Sequence, residues 1–347
     1  MNHQILRALD SVTAARASAA VLGVRDLTVR FRLRGGRTVA AVTDAAFDLA
    51  PGECLALVGE SGCGKSVLAS ALLGLLPGNA ETEGTAWLAG EEERGGRESL
   101  DLLSADERTL ARHVRGRRVA LVPQSPAAHL TPVRTVRAHL EETVRALTGT
   151  PRRERRAAGE AAAERAAFPG GHLDRYPHEL SGGLAQRAAT ALALIGDAPV
   201  LLADEPTTGL DRELVERTAD ELRRHVDTGK ALLLITHDLA AARRVADRVA
   251  VMYAGRIVET APAVRFFGRP GPRHPYARGL LNALPEREFT PIPGLPPELS
   301  KLPEGCAFAP RCARATEACA VRPDPRAGVA CHHPHHRDED TEGADRA

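Results

Sequence analysis

The sequence predicts an α/β fold with a parallel sheet at its core, and three observations carry that prediction. Short apolar runs alternate with helix-length segments. One run leads into a glycine-rich phosphate-loop pattern that opens a helix, and another ends in two adjacent carboxylates.

The first of these runs, Cys54-Leu55-Ala56-Leu57-Val58, suits a buried parallel strand. The segment after it, Gly59-Glu60-Ser61-Gly62-Cys63-Gly64-Lys65-Ser66, fills every fixed position of G-x-x-x-x-G-K-[ST]. Val67-Leu68-Ala69-Ser70-Ala71-Leu72-Leu73 then continues as a helix. Glycines at 59, 62 and 64 let backbone N–H groups turn inward on phosphates, and the new helix points its positive end there. The pattern implies a nucleoside triphosphate held by Gly59 to Val67. Lys65 suits its β- and γ-phosphates, and Ser66 offers a hydroxyl to Mg²⁺, a cation that prefers oxygen donors. Cys63 reads more simply as a small tolerated residue than as a redox switch.

Val21 to Ala50 alternates apolar and polar residues around Gly35-Gly36 and predicts antiparallel strands. Asp101 to Arg118 is charged and predicted helical, followed by a strand at Val119-Ala120-Leu121-Val122 and a loop at Pro123-Gln124. Val136 to Ala167 is helical in composition and broken at Thr148-Gly149-Thr150-Pro151, which places a helical insertion at about 125–185. Further strands are expected at Val200 to Ala203, Ala231 to Ile235 and Arg248 to Met252. Beyond residue 268 the composition changes to Pro, Gly, Arg, His and Cys. A small separate module is expected over 269–336, with disordered ends at 1–20 and 337–347.

Lys+Arg 46 against Asp+Glu 45 leaves a formal net charge of +1 over 347 residues. There is no global basic field of the kind that binds nucleic acid. No stretch approaches the roughly 20 apolar residues that span a bilayer, and the N-terminal segment lacks the apolar region of a secretory signal.

Val200-Leu201-Leu202-Ala203-Asp204-Glu205 supplies the acidic partner that a phosphate loop requires. Asp204 would hold Mg²⁺ through water, and Glu205 would orient or deprotonate the water that attacks the γ-phosphate. Alone, the pair reads more simply as a strand-terminal turn. Its context decides, because Leu180-Ser181-Gly182-Gly183-Leu184-Ala185-Gln186-Arg187 precedes it and resembles the signature sequence of ATP-binding-cassette (ABC) ATPases. Gln124 after the second strand, Gly209-Leu210-Asp211 after the acidic pair and Thr236-His237-Asp238 after the next strand stand in that family's order, so the resemblance covers nearly all of residues 21–267. Pro123 stands where an aromatic residue is common, and Gly209 where alanine is frequent. Neither departure removes a chemical group.

The resemblance implies a P-loop NTPase of ABC type, with a parallel core, an antiparallel β-subdomain and a helical subdomain. It also implies roles. Two ATPase domains face head to tail, so Ser181, Gly182 and Gly183 contact the γ-phosphate held by the partner. His237 contacts the γ-phosphate, Gln124 touches Mg²⁺ or the lytic water, and Asp211 lies at the dimer seam. Phe31 occupies the place of an adenine-stacking ring; Val29 and Val39 are its neighbours, and core packing is the competing reading.

His274-Pro275-Tyr276-Ala277-Arg278-Gly279-Leu280-Leu281, Ile292-Pro293-Gly294-Leu295-Pro296-Pro297 and Gly305-Cys306-Ala307-Phe308-Ala309-Pro310-Arg311-Cys312 resemble the carboxy-terminal extension of oligopeptide/dipeptide importer ATPases. That branch implies ATP hydrolysis driving solute uptake, with oligopeptides or dipeptides as the default and nickel or another small solute as the alternative. It further implies a second ATPase subunit, two membrane permeases on whose cytoplasmic side the chain docks, and an extracellular solute-binding protein. Soluble ABC ATPases of DNA repair or translation are the competing class. They are disfavoured because the chain has one compact cassette without long coiled-coil insertions.

Cys306, Cys312, Cys319 and Cys331 lie in a Pro-rich segment too poor in aliphatic residues to build its own core. In a cytosolic protein four thiolates suit bound metal better than disulfides. Zinc and an iron–sulfur cluster both fit four thiolates, and unligated thiols are the third reading. The resemblance implies a [4Fe-4S] cluster.

Overall fold

The computed structural model describes residues 20–90 and 99–335. The extension expected over 1–20, Ala20 apart, and the tail expected over 337–347 fall outside the described residues.

A six-stranded sheet forms the centre. Its strands are β3 (Cys54–Val58), β6 (Val119–Val122), β7 (Val200–Asp204), β8 (Ala231–Thr236), β9 (Arg248–Tyr253) and β10 (Arg256–Pro262), in the order β10-β9-β3-β8-β7-β6. All pairs are parallel except β10 with β9. Successive side chains of a strand point to opposite faces, and the core divides accordingly. Leu55, Leu57, Val200, Leu202, Leu233 and Ile235 enter one apolar cluster, while Leu201, Ala203, Leu232 and Leu234 enter another on the opposite face. Both faces are covered, so the predicted strands read as unbroken apolar runs rather than as alternation.

The antiparallel sheet, ordered β2-β1-β4-β5, is built from β1 (Leu22–Arg32), β2 (Thr38–Leu49), β4 (Ala80–Leu88) and β5 (Leu100–Asp101). Its inner residues, among them Leu22, Val24, Leu27 and Leu49, join the first of those clusters together with helix α1 (Lys65–Leu72). The expected hairpin turn holds Gly35 and Gly36 at φ of 82° and 75°.

The predicted helix over Asp101 to Arg118 is shorter than its composition suggested. Asp106 caps a helical turn at Glu107–Thr109, which passes into a π-helical turn at Leu110–Val114. Leu110 and Val114 are buried, and Arg115 ties the end of the segment to the carbonyl oxygens of Leu73 and Gly74 at 2.9 and 3.0 Å. Tertiary anchoring at both ends sets the length, where charge content alone pointed to a longer helix.

Three helices make a unit with its own core: α2 (Val136–Leu147), α3 (Arg155–Arg165) and α4 (Gly182–Ala193). Thr135 caps α2, whose buried residues Val136, Leu140 and Val144 repeat at helical spacing. They pack on Ala162 and Ala163 of α3 and on Ala188 and Ala191 of α4. Between β7 and β9 run α5 (Arg212–Asp227) and α6 (Leu239–Val245).

Past β10 come α7 (Ala263–Phe267) and α8 (Pro275–Asn282), then mostly irregular chain. This segment does not stand on thiols alone. Tyr276, Ala277, Leu281 and Phe308 share a cluster with Ala56 and Val58 of β3 and with Val249, Val251 and Tyr253 of β9. His274 caps α8, its Nδ1 accepting the Tyr276 N–H at 3.1 Å, and Pro275 fills the first helical position.

Burial pushes the His274 imidazole down to about 4, with nearby His335 acting in the same direction. An unfolded histidine titrates near 6.5. The unfolded chain therefore takes up a proton that the folded segment refuses. Stability from this group is complete above about pH 6.5 and is lost as pH falls toward 4, by roughly 2 kcal/mol at about pH 5. His274→Asn keeps a capping oxygen and removes the titration. The stability of the variant relative to the wild type is expected to rise by that amount between about pH 7.5 and pH 5 in denaturant titrations. A difference that does not change with pH would contradict the buried neutral histidine.

Candidate active site

Parallel registration aligns the carboxyl ends of the central strands. Val58 pairs with Thr236, Asp204 with Ile235 and Val122 with Ala203. The phosphate loop, Gln124, Glu205 and His237 therefore leave the sheet along one edge, where ligands bind in open α/β sheets.

The loop runs from β3 into α1 as predicted. At Gly64 (φ 108°) an added Cβ would stand 2.2 Å from the Ala41 carbonyl oxygen, and at Gly59 equally close to that of Met252. Glycine is required at both because neighbouring backbone leaves no room. Lys65 is buried, and its Nζ donates to the carbonyl oxygens of Gly59 and Glu60 at 2.8 and 3.0 Å. Cys63 is also buried, and burial pushes its thiol up, which suits an inert small residue.

A cleft beside the loop is lined by Ser61, Gly62, Gly64, Lys65, Ser66, Val67, Gln124 and Glu205, with Ala41 and Leu299 at its margin. Ser66 Oγ lies 3.4 Å from Gln124 Oε1. Asp204 is buried. Desolvation pushes its carboxyl up, opposed by a hydrogen bond from Ser66 and reinforced by the charge of Glu205. Its Oδ1 is buried without a hydrogen-bond partner, and an orphaned carboxylate oxygen beside a serine hydroxyl and an amide oxygen is a donor set that fits Mg²⁺.

Glu205 is buried and takes a left-handed backbone conformation (φ 51°), which costs a non-glycine residue about 1 kcal/mol. Its N–H donates to the Ile235 carbonyl at 2.8 Å and holds that geometry. The carboxylate meets β8's end, with Oε2 2.8 Å from His237 Nδ1 and 3.5 Å from Thr236 Oγ1. The geometry thus unites Gly59 to Val67, Gln124, Asp204, Glu205 and His237.

The other predicted residues stand apart. Ser181 caps α4, accepting the Leu184 N–H at 3.3 Å, and both Ser181 and Gly182 are exposed away from this chain's own cleft. Gly183 packs against Gly209 and Leu210, and Asp211 caps α5 through a 3.0 Å bond from the Leu214 N–H. Phe31 is half-buried on β1, paired with Val39 and Ala80 and packed against the first core cluster.

Cys306, Cys312, Cys319 and Cys331 line one small cavity with His332 and His333, and all four are free thiols. Burial pushes the Cys331 thiol up to about 11, with the other three cysteines adding to the shift. The donor types suit a metal. As the side chains stand, however, no group of three or more His, Cys, Asp or Glu among the described residues converges to hold an ion.

Sequence reasoning missed three residues at the loop: Tyr276, Arg311 and Leu299. Tyr276 and Arg311 stand inside motifs quoted above, but nothing in those motifs says what they touch.

A family profile described as ABC transporter matches residues 42–208, and one described as Oligopeptide/dipeptide transporter, C-terminal region, matches residues 258–319. A protein of Brucella melitensis named as a peptide import ATP-binding protein is 39% identical over 329 residues, or 90% of this chain and 95% of its own. The chain is an ABC ATPase of the oligopeptide/dipeptide transporter family. A Brucella abortus protein similarly named is 40% identical to this ABC ATPase over 328 residues, covering 90% and 93% of the two chains. The post-hydrolysis dimer of the ATP-binding cassette MJ0796 bound to ADP and Pi has the same fold. At 23% identity it superposes with a TM-score of 0.62 and covers 70% of this chain and 98% of its own.

Proposed function

We propose that this ABC ATPase powers uptake of oligopeptides or dipeptides through two membrane permeases, docked on the cytoplasmic face of the cell membrane as one half of an ATP-driven pair. One observation carries the reading: the segment that matches the oligopeptide/dipeptide profile is bonded to the phosphate loop of the same chain through Arg311 and Tyr276. The naming of the Brucella relatives supports peptides as the solute; in this reading an extracellular solute-binding protein delivers them.

In this reading the loop from Gly59 to Val67 cradles the phosphates and Lys65 turns to the β- and γ-oxygens. Phe31 offers its exposed part to adenine. Ser66, Gln124 and Asp204 are the residues that would hold Mg²⁺, which would supply positive charge to neutralise the charge developing on the phosphates. Glu205 positions and deprotonates the attacking water. His237 is fixed by Glu205 at Nδ1, which leaves Nε2 to meet the γ-phosphate. Ser181, Gly182 and Gly183 act on the partner's nucleotide, consistent with the exposure of Ser181 and Gly182 away from their own cleft, and Asp211 sits at the seam between subunits.

Among the described residues no helix is long and apolar enough to cross a membrane, and the reading assigns the pathway to the permeases. Purification of the tagged chain from its host in mild detergent tests this. Two permeases and an ATPase partner are expected, and recovery with ribosomes or DNA in their place would contradict it.

The four cysteines are read as the donors of a [4Fe-4S] cluster, with Zn²⁺ as the alternative occupant. Their shared cavity and lack of disulfides support this; the side chains must draw together to close the site. Protein purified without oxygen is expected to carry iron and acid-labile sulfide in matching amounts. Stoichiometric zinc without sulfide would reject the cluster, and metal-free folded protein would reject both.

A further inference from the structure

We propose that Arg311 and Tyr276 are positioning residues that hold the phosphate loop in its nucleotide-binding shape, gripping Glu60 from both its backbone and its side chain. Glu60 is a variable position in the phosphate-loop pattern, so the pattern assigns it no task. The fold gives it one. Its N–H donates to the Tyr276 hydroxyl at 2.9 Å, and its carboxylate accepts a two-pronged pair from Arg311, at 2.8 Å from Nη1 and 3.0 Å from Nη2. Its carbonyl oxygen accepts from Lys65 Nζ at 3.0 Å. A single residue thus links the C-terminal segment to the lysine that meets the phosphates.

The grip is rigid. Arg311 is 8% exposed and Tyr276 fully buried. Beyond Glu60, the guanidinium donates to the Pro293 carbonyl at 2.8 Å and to the Tyr253 hydroxyl at 3.3 Å. It also lies 5.8 Å from the Tyr253 ring centroid and 5.9 Å from that of Phe308. Planar, two-pronged pairing of this kind fixes geometry as well as charge. A glycine-rich loop held in its bound shape loses less conformational freedom on binding phosphate, so the clamp favours nucleotide affinity. The residues that supply it lie in the segment that distinguishes this branch, Tyr276 within α8 and Arg311 between Cys306 and Cys312.

The test is a double-mutant cycle on the full chain, reading MgATP affinity by calorimetry and thermal unfolding without nucleotide. Arg311→Met is expected to weaken MgATP binding about tenfold, because it leaves the Glu60 carboxylate unpaired and the loop unheld. Adding Glu60→Gln is expected to bring affinity to within about threefold of Glu60→Gln alone, since the two changes break one contact. Effects that multiply independently, or a lower unfolding temperature with unchanged affinity, would reduce Arg311 to a tether and overturn the proposal. Should Arg311→Met not fold, Tyr276→Phe keeps the ring and deletes the hydroxyl. It is expected to weaken MgATP several-fold, and unaltered affinity there overturns the proposal equally.

Discussion

Glu205→Gln is expected to bind MgATP with near wild-type affinity while losing roughly 10²–10⁴-fold of its turnover, the usual range for a general base. The substitution keeps the side-chain shape, and glutamine can still accept a hydrogen bond from His237, which sits 2.8 Å away. The loop from Gly59 to Ser66 is untouched, so the phosphates remain cradled. What is lost is the group proposed to take the proton from water. With hydrolysis blocked, bound ATP stabilises the paired state by mass action. The variant should therefore run as an ATP-dependent dimer, with its partner subunit, in size exclusion with light scattering. Turnover near wild type with Glu205 amidated would assign the base elsewhere.

Ser181→Arg is expected to abolish hydrolysis at the opposite subunit's loop while leaving this chain's own nucleotide affinity nearly unchanged. Ser181 is exposed at the N-terminus of α4 and takes no part in the cleft formed by Lys65, Gln124 and Glu205. An arginine there projects into whatever faces it. Losing the serine cap costs the helix about 1 kcal/mol, which α4, packed through Ala185, Ala188 and Ala191, can bear. Site-resolved nucleotide trapping in a pair of variant and unmodified subunits distinguishes the two loops. Loss of MgATP binding by the variant chain itself would contradict action across the seam.

Much of this was legible in the sequence because the chemistry is local to strand ends. Short apolar runs such as Leu201-Leu202-Ala203, bounded by turn signals, suit strands covered on both faces, and parallel pairing then brings Asp204, Glu205 and His237 to the same edge as Lys65. Contacts between distant segments were not legible. Glu60 and Arg311 are 251 residues apart, and their pairing depends on how the C-terminal segment lies over β3 and β9, which no local pattern encodes. Nor is the packing of the Pro-rich segment legible from its own composition, which is poor in aliphatic residues. In the fold, Tyr276 and Phe308 use the core already built by Val58, Val251 and Tyr253. The length of the helix within Asp101 to Arg118 is set in the same way, since Leu110 and Arg115 are fixed by contacts near Gly74.

The most direct measurement is uptake of a labelled dipeptide into sealed vesicles that carry the permeases, the ATPase pair and the solute-binding protein. Uptake is predicted to require ATP on the ATPase side and to fall with Glu205→Gln in proportion to turnover. Dipeptide movement that persists undiminished in that variant, or ATP hydrolysis that drives none, would contradict the coupling of this site to peptide import.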